Sequence, residues 1–145
     1  MARVLAEVTS DPIDLAAMIA AVQSTRHGAV TTFVGQVRDH DPEVDGEVVG
    51  IEYTCHPDAP DLIEQIVARA LAEHDPGHAC EVAVAHRIGT LVVGDLALVA
   101  AVASAHRAPA FEICRAVVEA VKHELPVWKR QLQADGTHVW SGVSC

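Results

Sequence analysis

The sequence predicts an α+β fold with a largely antiparallel sheet, formed by a single domain of residues 1–145. A length of 145 residues suffices for one buried core. Half of the residues are hydrophobic, but only two Phe, two Trp and one Tyr are present, so the core is expected to consist of Ala, Val, Leu and Ile. The predicted elements follow the order β-α-β-β-α-β-β-α. This order lacks the strict alternation of strand and helix that is typical of a parallel sheet.

Each element is predicted from its hydrophobic period and from the residues that end it. Apolar residues alternate in the strands, recur every three or four positions in the helices, and are separated by Gly, Pro and Asp clusters. In chain order, the predicted elements are a strand over Arg3–Thr9, a helix beginning at Asp11 and Pro12, strands Ala29–Arg38 and Val48–Cys55, a helix from Asp58 or Pro60 to Asp75, strands Ala79–Arg87 and Asp95–Ala103, and a helix from Pro109 to Pro126.

Several of these elements carry a more specific expectation. Asp11 is predicted to be the N-cap of the first helix, with Pro12 at its first position. Gly35 predicts a bulge or a close backbone approach within its strand. The segment Asp95–Ala103, which is apolar after Asp95, is expected to be the central strand, and Gly89 to Asp95 a tight hairpin-like excursion. Residues 39–47 form an acidic, turn-rich loop, and Asp135-Gly136 predicts a turn.

Charge and cysteine content restrict the class of function. A net charge of −10 argues against nucleic acid or an anionic membrane as the general partner. The longest apolar run, Leu96–Ala103, is far too short to span a bilayer, and the N-terminus lacks the apolar segment of a signal peptide. The cysteines show no metal-ligand spacing, so we expect reduced thiols in a cytoplasmic protein without a metal or cofactor. They are Cys55, Cys80, Cys114 and Cys145.

Positive charge is concentrated in one stretch, Ser104 to Gln131. It contains five of the ten basic residues and both lysines of the chain, Lys122 and Lys129. Most lysines are solvated surface residues, and that interpretation applies here too. However, Lys122 lies at the edge of the apolar helix face and near the helix end, where a lysine can also take part in chemistry. The predicted apolar face consists of Phe111, Cys114, Val117, Val118, Val121 and Leu125.

Other basic residues lie where strands end. Arg38 ends a strand, and His106 and Arg107 follow the predicted central strand where a helix begins. Since each ends a strand, we expect them to converge on one side of the sheet, beside a helix N-terminus that favours anions. Clustered cations with a lysine among them suit a phosphate-bearing or otherwise anionic small molecule. The residues alone leave the reaction open.

Four collinear motifs carry a resemblance to a known family. FVGQVRDH begins at Phe33, HRIGTLVVGD at His86, SAHRAPAF at Ser104 and VKHELPVWKR at Val121. Together they resemble the large, catalytic subunit of molybdopterin synthase over almost the whole chain. The sequence departs from the family at Gln131, where many relatives carry an acid, and in its short tail after Trp140.

The resemblance implies a fold, a reaction and partners. The fold would be an α/β hammerhead-type domain with an added small antiparallel sheet. The reaction would transfer sulfur from the C-terminal thiocarboxylate of a small ubiquitin-like subunit to cyclic pyranopterin monophosphate (precursor Z), forming the dithiolene of molybdopterin. The large subunit would form a homodimer within a heterotetramer with the small subunit.

The resemblance also implies roles for individual residues. Lys122 and Lys129 match the family's lysines and would be catalytic. The residues that would bind the pterin and its phosphate are Gln36, Val37, Arg38, His106, Arg107, Lys122, Lys129, Arg130 and Gln131. Two alternatives remain on the residues alone: a non-catalytic binding module for a phosphorylated small molecule, and a metal or redox protein.

Overall fold

The computed structural model describes residues 3–141, which form two four-stranded sheets and three helices. No helix within these residues is long and apolar enough to cross a membrane. In chain order the elements are β1 (Val4–Thr9), α1 (Leu15–Val22), β2 (Ala29–Gln36), β3 (Val48–Cys55), α2 (Ala59–His74), β4 (Cys80–Arg87), β5 (Gly89–Val92), β6 (Leu96–Ser104), α3 (Arg107–Glu124), β7 (Val127–Gln133) and β8 (His138–Ser141).

The first sheet has the strand order β1-β4-β6-β2, and only β1 and β4 pair in parallel. Strand β6 lies between two neighbours and is almost fully buried, which confirms the predicted central strand. Helices α2 and α3 cover the face that carries Val84 and Val102, whereas α1 covers the face that carries Ala83 and Ala101. The sheet is therefore the middle layer of a mixed, mostly antiparallel α+β fold, as predicted.

The second sheet has the order β5-β3-β7-β8 and is antiparallel throughout. It corresponds to the small added sheet that the family resemblance implied. The predicted hairpin-like excursion is wrong in one respect, because Gly89–Val92 pairs with β3 rather than folding back on its neighbours. The predicted turn at Asp135-Gly136 is confirmed and joins β7 to β8. Short four-residue strands such as β5 and β8 lack enough alternation to be recognised from sequence.

Two local predictions about the helices are wrong. The N-cap of α1 is Asp14, whose side chain accepts a hydrogen bond of 3.1 Å from the Ala17 backbone N–H. Asp11 instead donates its own backbone N–H to the Thr9 hydroxyl, so Asp11 and Pro12 belong to the preceding turn. Phe111 is 63% exposed, because the buried face of α3 is rotated away from it. The buried residues of α3 are Ala110, Ile113, Cys114, Val117, Val118 and Val121.

Irregular points in β2 and β3 shape the sheets near one end of the molecule. The pairing of β2 with β6 shifts register between Gly35 and Gln36, which confirms the predicted bulge. Gly50 in β3 allows close approach of β5, since a Cβ atom there would lie 2.6 Å from the Leu91 carbonyl oxygen. The larger core cluster contains residues of both sheets, so the sheets and the C-terminal end of α3 meet there.

Candidate active site

A pocket of about 500 Å³ opens where three parts of the fold meet. The end of β2 and the following loop form one wall, the inner face of β3 and β7 forms the second, and the last turn of α3 supplies Lys122. Three of the chain's ten Lys and Arg residues therefore line one concave site in an acidic protein. The lining residues are Gln36, Arg38, Asp41, Pro42, Glu43, Ile51, Tyr53, Lys122, Lys129 and Gln131.

The alternation of side chains along β7 decides which basic residues reach the pocket. Lys129 and Gln131 are buried on the inner face, opposite Tyr53 and Ile51 of β3. Arg130 lies on the outer face, contrary to the prediction that it binds substrate beside Lys129. Its guanidinium donates a 2.9 Å hydrogen bond to Glu52 and stacks 5.7 Å from the centre of the Trp140 ring. Successive side chains of a β-strand point to opposite faces of the sheet, so Lys129 and Arg130 lie on different sides.

Lys129 is paired inside the pocket with an acid from the loop after β2. Its Nζ lies 3.4 Å from Oδ2 of Asp41, and the two side chains are only 10% and 11% exposed. Burial acts to raise the pKa of Asp41. This effect is outweighed by the Glu43 backbone N–H, by the Lys129 cation and by hydrogen bonds from Gln131 and Lys129, so the pKa lies below its usual value.

Lys122 has a different environment at the C-terminal end of α3. It is half-buried and lines both the pocket and a smaller inner cavity of about 70 Å³. Gln36 and Tyr53 also line both spaces, so the cavity continues the pocket inwards between the two sheets. A space of this size holds about two water molecules at roughly 30 Å³ each.

His86 forms part of the wall of this inner cavity. It is 9% exposed, its Nδ1 lies 2.8 Å from the Arg87 carbonyl oxygen, and its ring meets Tyr53 edge-on at 5.2 Å. Burial lowers the pKa of His86, the contact with the Arg87 carbonyl opposes that effect, and the nearby Lys122 cation lowers it further. The imidazole is therefore kept neutral at pH 7, with its proton on Nδ1 facing the carbonyl.

The structure does not bring all the predicted residues together. Val37 is buried, and its backbone bonds to Asp95 and Gly94 hold the end of β2 in place. His106 and Arg107 are exposed at the start of α3, about 22 Å along the helix from Lys122 at 1.5 Å per residue. The expected convergence with Arg38 is wrong within one chain. Strands β2 and β6 are antiparallel neighbours, so the carboxyl end of one lies beside the amino end of the other, and their two carboxyl ends are a strand length apart.

The described cysteines lie away from the pocket lining. Cys55, Cys80 and Cys114 are free, and burial raises the pKa of each thiol. A buried thiol of raised pKa is a poor nucleophile at neutral pH. Cys145 lies outside the described residues. Among residues 3–141, no group of three or more His, Cys, Asp or Glu side chains is arranged to hold a metal ion.

The residues of this site that sequence reasoning missed include Asp41, Tyr53 and His86. His86 follows Val82 and Val84 in the alternation of β4, so its inward direction could be predicted from the sequence. The residues that surround its ring in the folded chain could not. Tyr53 likewise alternates with Ile51 on the inner face of β3. Asp41 carried no signal, because the contacts of a loop residue across 88 positions depend on tertiary packing.

The fold and the pocket define a class of protein: an α+β domain with a concave polar site, lined by two lysines, one arginine, two acids and two amides. Comparisons with known proteins give the family. The model of the MoaE protein family matches residues 8–124, and the chain belongs to this family.

Individual relatives agree with this assignment. "Molybdopterin synthase catalytic subunit 1" of Mycobacterium tuberculosis is 35% identical, over 98% of this chain and 98% of its own. The crystal structure of molybdopterin synthase from Staphylococcus aureus superposes with a TM-score of 0.82 at 27% identity, covering 94% of this chain and 96% of that one. A Helicobacter pylori structure, described as the complex of subunits 1 and 2 of molybdopterin-converting factor, shares the fold at 19% identity, with a TM-score of 0.73 over 94% of this chain and 89% of that one.

Proposed function

We propose that this chain is the catalytic subunit of a molybdopterin synthase. It transfers sulfur from the C-terminal thiocarboxylate of a small ubiquitin-like subunit to cyclic pyranopterin monophosphate, forming the dithiolene of molybdopterin. The observation that carries the proposal is the convergence of Arg38, Lys122 and Lys129 on one pocket in a chain of the MoaE family. Its curated relatives are named catalytic subunits, which implies that a further subunit completes the enzyme.

The pocket suits the charges of both reactants. The cyclic phosphate and the thiocarboxylate are anions, and opening the cyclic phosphate builds negative charge on oxygen. Arg38 can form a forked pair with phosphate oxygens, and the amides of Gln36 and Gln131 can donate hydrogen bonds. Lys122 projects from the end of a rigid helix towards both spaces of the site, so we assign it the central catalytic role.

The second lysine supports the same chemistry from a fixed position. Lys129 is held on the inner face of β7 by its pairing with Asp41. A buried cation in this place can stabilise charge on an incoming or departing oxyanion. We therefore propose Lys129 as the second catalytic residue. Because Arg130 faces outward, its contribution is to the second sheet rather than to the substrate.

Assembly is part of the proposal. We propose a homodimer of large subunits with one small subunit bound to each, in a heterotetramer. Within one chain, His106 and Arg107 lie at the opposite end of α3 from Lys122. They can therefore bind substrate only if they reach the pocket of the second large subunit. Both residues are exposed at the start of α3, which leaves them available for such a contact.

Two further features belong to the same proposal. We propose that residues 1–145 act as one domain, because one core cluster is shared by both sheets. A cytoplasmic location is also proposed. It is supported by the three free cysteines in the described part of the chain, which fit a reducing compartment.

The test is a reconstitution in which the purified chain is mixed with a thiocarboxylated small subunit and precursor Z. We expect mass analysis to show a pterin product that has gained two sulfur atoms. Binding of the pterin without any sulfur gain, with an active small subunit present, would instead support a non-catalytic module for a phosphorylated small molecule.

A further inference from the structure

The pocket already contains an anion of its own. Asp41 lies in the acidic loop of residues 39–47 and reaches 88 positions along the chain to Lys129, with 3.4 Å between Oδ2 and Nζ. Its other oxygen, Oδ1, accepts a 2.8 Å hydrogen bond from the Glu43 backbone N–H. The nearby Gln131 side chain also helps to lower the pKa of this carboxylate. Asp41 therefore occupies the donors that an incoming oxyanion would use.

Because the Asp41–Lys129 pair is buried, Asp41 competes with an anionic ligand for the Lys129 ammonium. Both side chains are about nine-tenths buried, so neither charge is compensated by bulk water. Asp41 already neutralises the Lys129 ammonium, so a ligand gains the full attraction of this charge only by replacing Asp41. Removing the carboxylate alone would leave a buried, unpaired cation. The ligand must therefore offer an anionic group of similar size.

The contacts of the loop of residues 39–47 allow a ligand to replace Asp41 without opening the whole loop. Asp41 and Val44 form an isolated bridge, and Val48 donates to the Asp39 carbonyl at 2.8 Å, which closes the loop at its base. A second tie joins the loop to β8, where the Ser141 hydroxyl donates to Glu43 at 2.8 Å. The Asp41–Lys129 and Ser141–Glu43 contacts are made by side chains, so they can open while the backbone bond at the base of the loop stays closed.

We propose that Asp41 is a specificity-determining residue, an internal counter-anion of Lys129 that the carboxylate, thiocarboxylate or phosphate group of a ligand must displace. This inference rests on the same pocket as the proposed function, but not on sulfur transfer. The exchange favours anions that also reach Lys122 or Arg38, since a ligand that contacts Lys129 alone gains no more than Asp41 already supplies.

The test compares the binding of inorganic phosphate to the full chain and to matched variants by calorimetry. Asp41→Asn removes the competing charge and keeps the side-chain volume. Asp45→Asn removes the same charge from an exposed position of the same loop. We expect phosphate to bind Asp41→Asn about tenfold more tightly than the wild type, the size of one charged hydrogen bond. Asp45→Asn should change the affinity by less than about twofold, as a screened surface charge does.

Two further variants separate direct competition from a change in folding. Asp41→Glu keeps the charge and should bind phosphate no more tightly than the wild type. In a Lys129→Gln background the gain from Asp41→Asn should disappear, because the two residues act as one pair. The proposal is overturned if folded Asp41→Asn binds neither phosphate nor a peptide ending in Gly-Gly more tightly than the wild type does, and also if the gain persists without Lys129.

A second ligand identifies which reactant makes the exchange. A peptide ending in Gly-Gly presents a terminal carboxylate like that of the small subunit, whereas phosphate represents the pterin. A gain in Asp41→Asn for either ligand supports the exchange and assigns Lys129 to that reactant. Sulfur transfer is measured separately. Tighter anion binding without turnover in the reconstituted wild type would therefore sink the proposed function and leave this inference standing.

Discussion

At the scale of single residues, the two lysines of the chain differ in what surrounds them. Lys129 is buried on a strand and paired with Asp41, whereas Lys122 stands at a helix end beside the inner cavity that His86 also lines. A fixed, paired cation suits charge stabilisation. A lysine with room around it and a neutral imidazole nearby suits proton transfer or nucleophilic attack.

Replacement of Lys122 distinguishes these roles. If its amine carries a proton or attacks, Lys122→Arg should retain binding of the small subunit and precursor Z, yet lose at least about a hundredfold in rate, as expected for a lost acid–base group. Arginine keeps the charge but cannot deprotonate. Single-turnover rates and pull-down of the small subunit provide the measurement. Full activity of both Lys122→Arg and Lys122→Ala would make Lys122 an ordinary solvated lysine.

His86 gives the protein a pH-dependent stability. Its pKa in the folded chain lies below the ordinary value of 6.5, so the unfolded chain takes up the proton first as the pH falls. The free energy of unfolding should therefore decrease as the pH drops below about 6.5 and level off below the folded pKa. Urea unfolding at pH 5, 6, 7 and 8 would measure this, and His86→Gln should flatten the profile. An unchanged slope in that variant would contradict the assignment.

At the scale of elements, strand β7 shows what the sequence could and could not predict. The motif that contains Lys129 and Arg130 suggested one basic cluster, yet a strand sends neighbours to opposite faces. No strand was predicted for this stretch, so this alternation was not applied to it. The long elements, the central strand and the bulge at Gly35 were predictable because each leaves a local pattern. The Asp41–Lys129 pair was not, because it depends on how two sheets meet.

The alternation in β7 leads to a paired test on adjacent residues. Lys129→Gln and Arg130→Gln each remove one positive charge from the same strand. We expect Lys129→Gln to lower the rate of sulfur transfer at least about tenfold, since it removes a charged contact inside the pocket. Arg130→Gln should keep more than about half of the rate, and lose no more than about 1 kcal/mol of stability, because it breaks a partly exposed ion pair. Equal losses in both variants would place Arg130 in the site after all.

At the scale of the whole molecule, α3 connects two features that one chain cannot bring together. Its C-terminal turn carries Lys122 into the pocket, while its first residues present His106 and Arg107 at the far end. The first sheet does not bring these residues near Arg38 either, because β2 and β6 run in opposite directions. A second subunit is the simplest source of the missing contacts.

Mixed dimers provide the test of that arrangement. Arg107→Ala and Lys122→Ala should each be nearly inactive alone. When the two variants exchange subunits, half of the dimers are mixed, and one of the two sites in each mixed dimer has both native residues. We therefore expect recovery to about a quarter of wild-type activity. If Arg107 instead serves the pocket of its own chain, both sites of a mixed dimer contain a defect and mixing restores nothing.

The low number of lysines in this chain has a practical consequence. Lys122 and Lys129 are the only lysines, and both line the pocket. Reductive methylation with carbon-13 formaldehyde would therefore place NMR labels at just these two side chains and at the N-terminal amine. Each reactant could then be followed by the movement of two resonances, one from the helix end and one from the strand. A protein of 145 residues would report on its active site through a spectrum almost free of other signals.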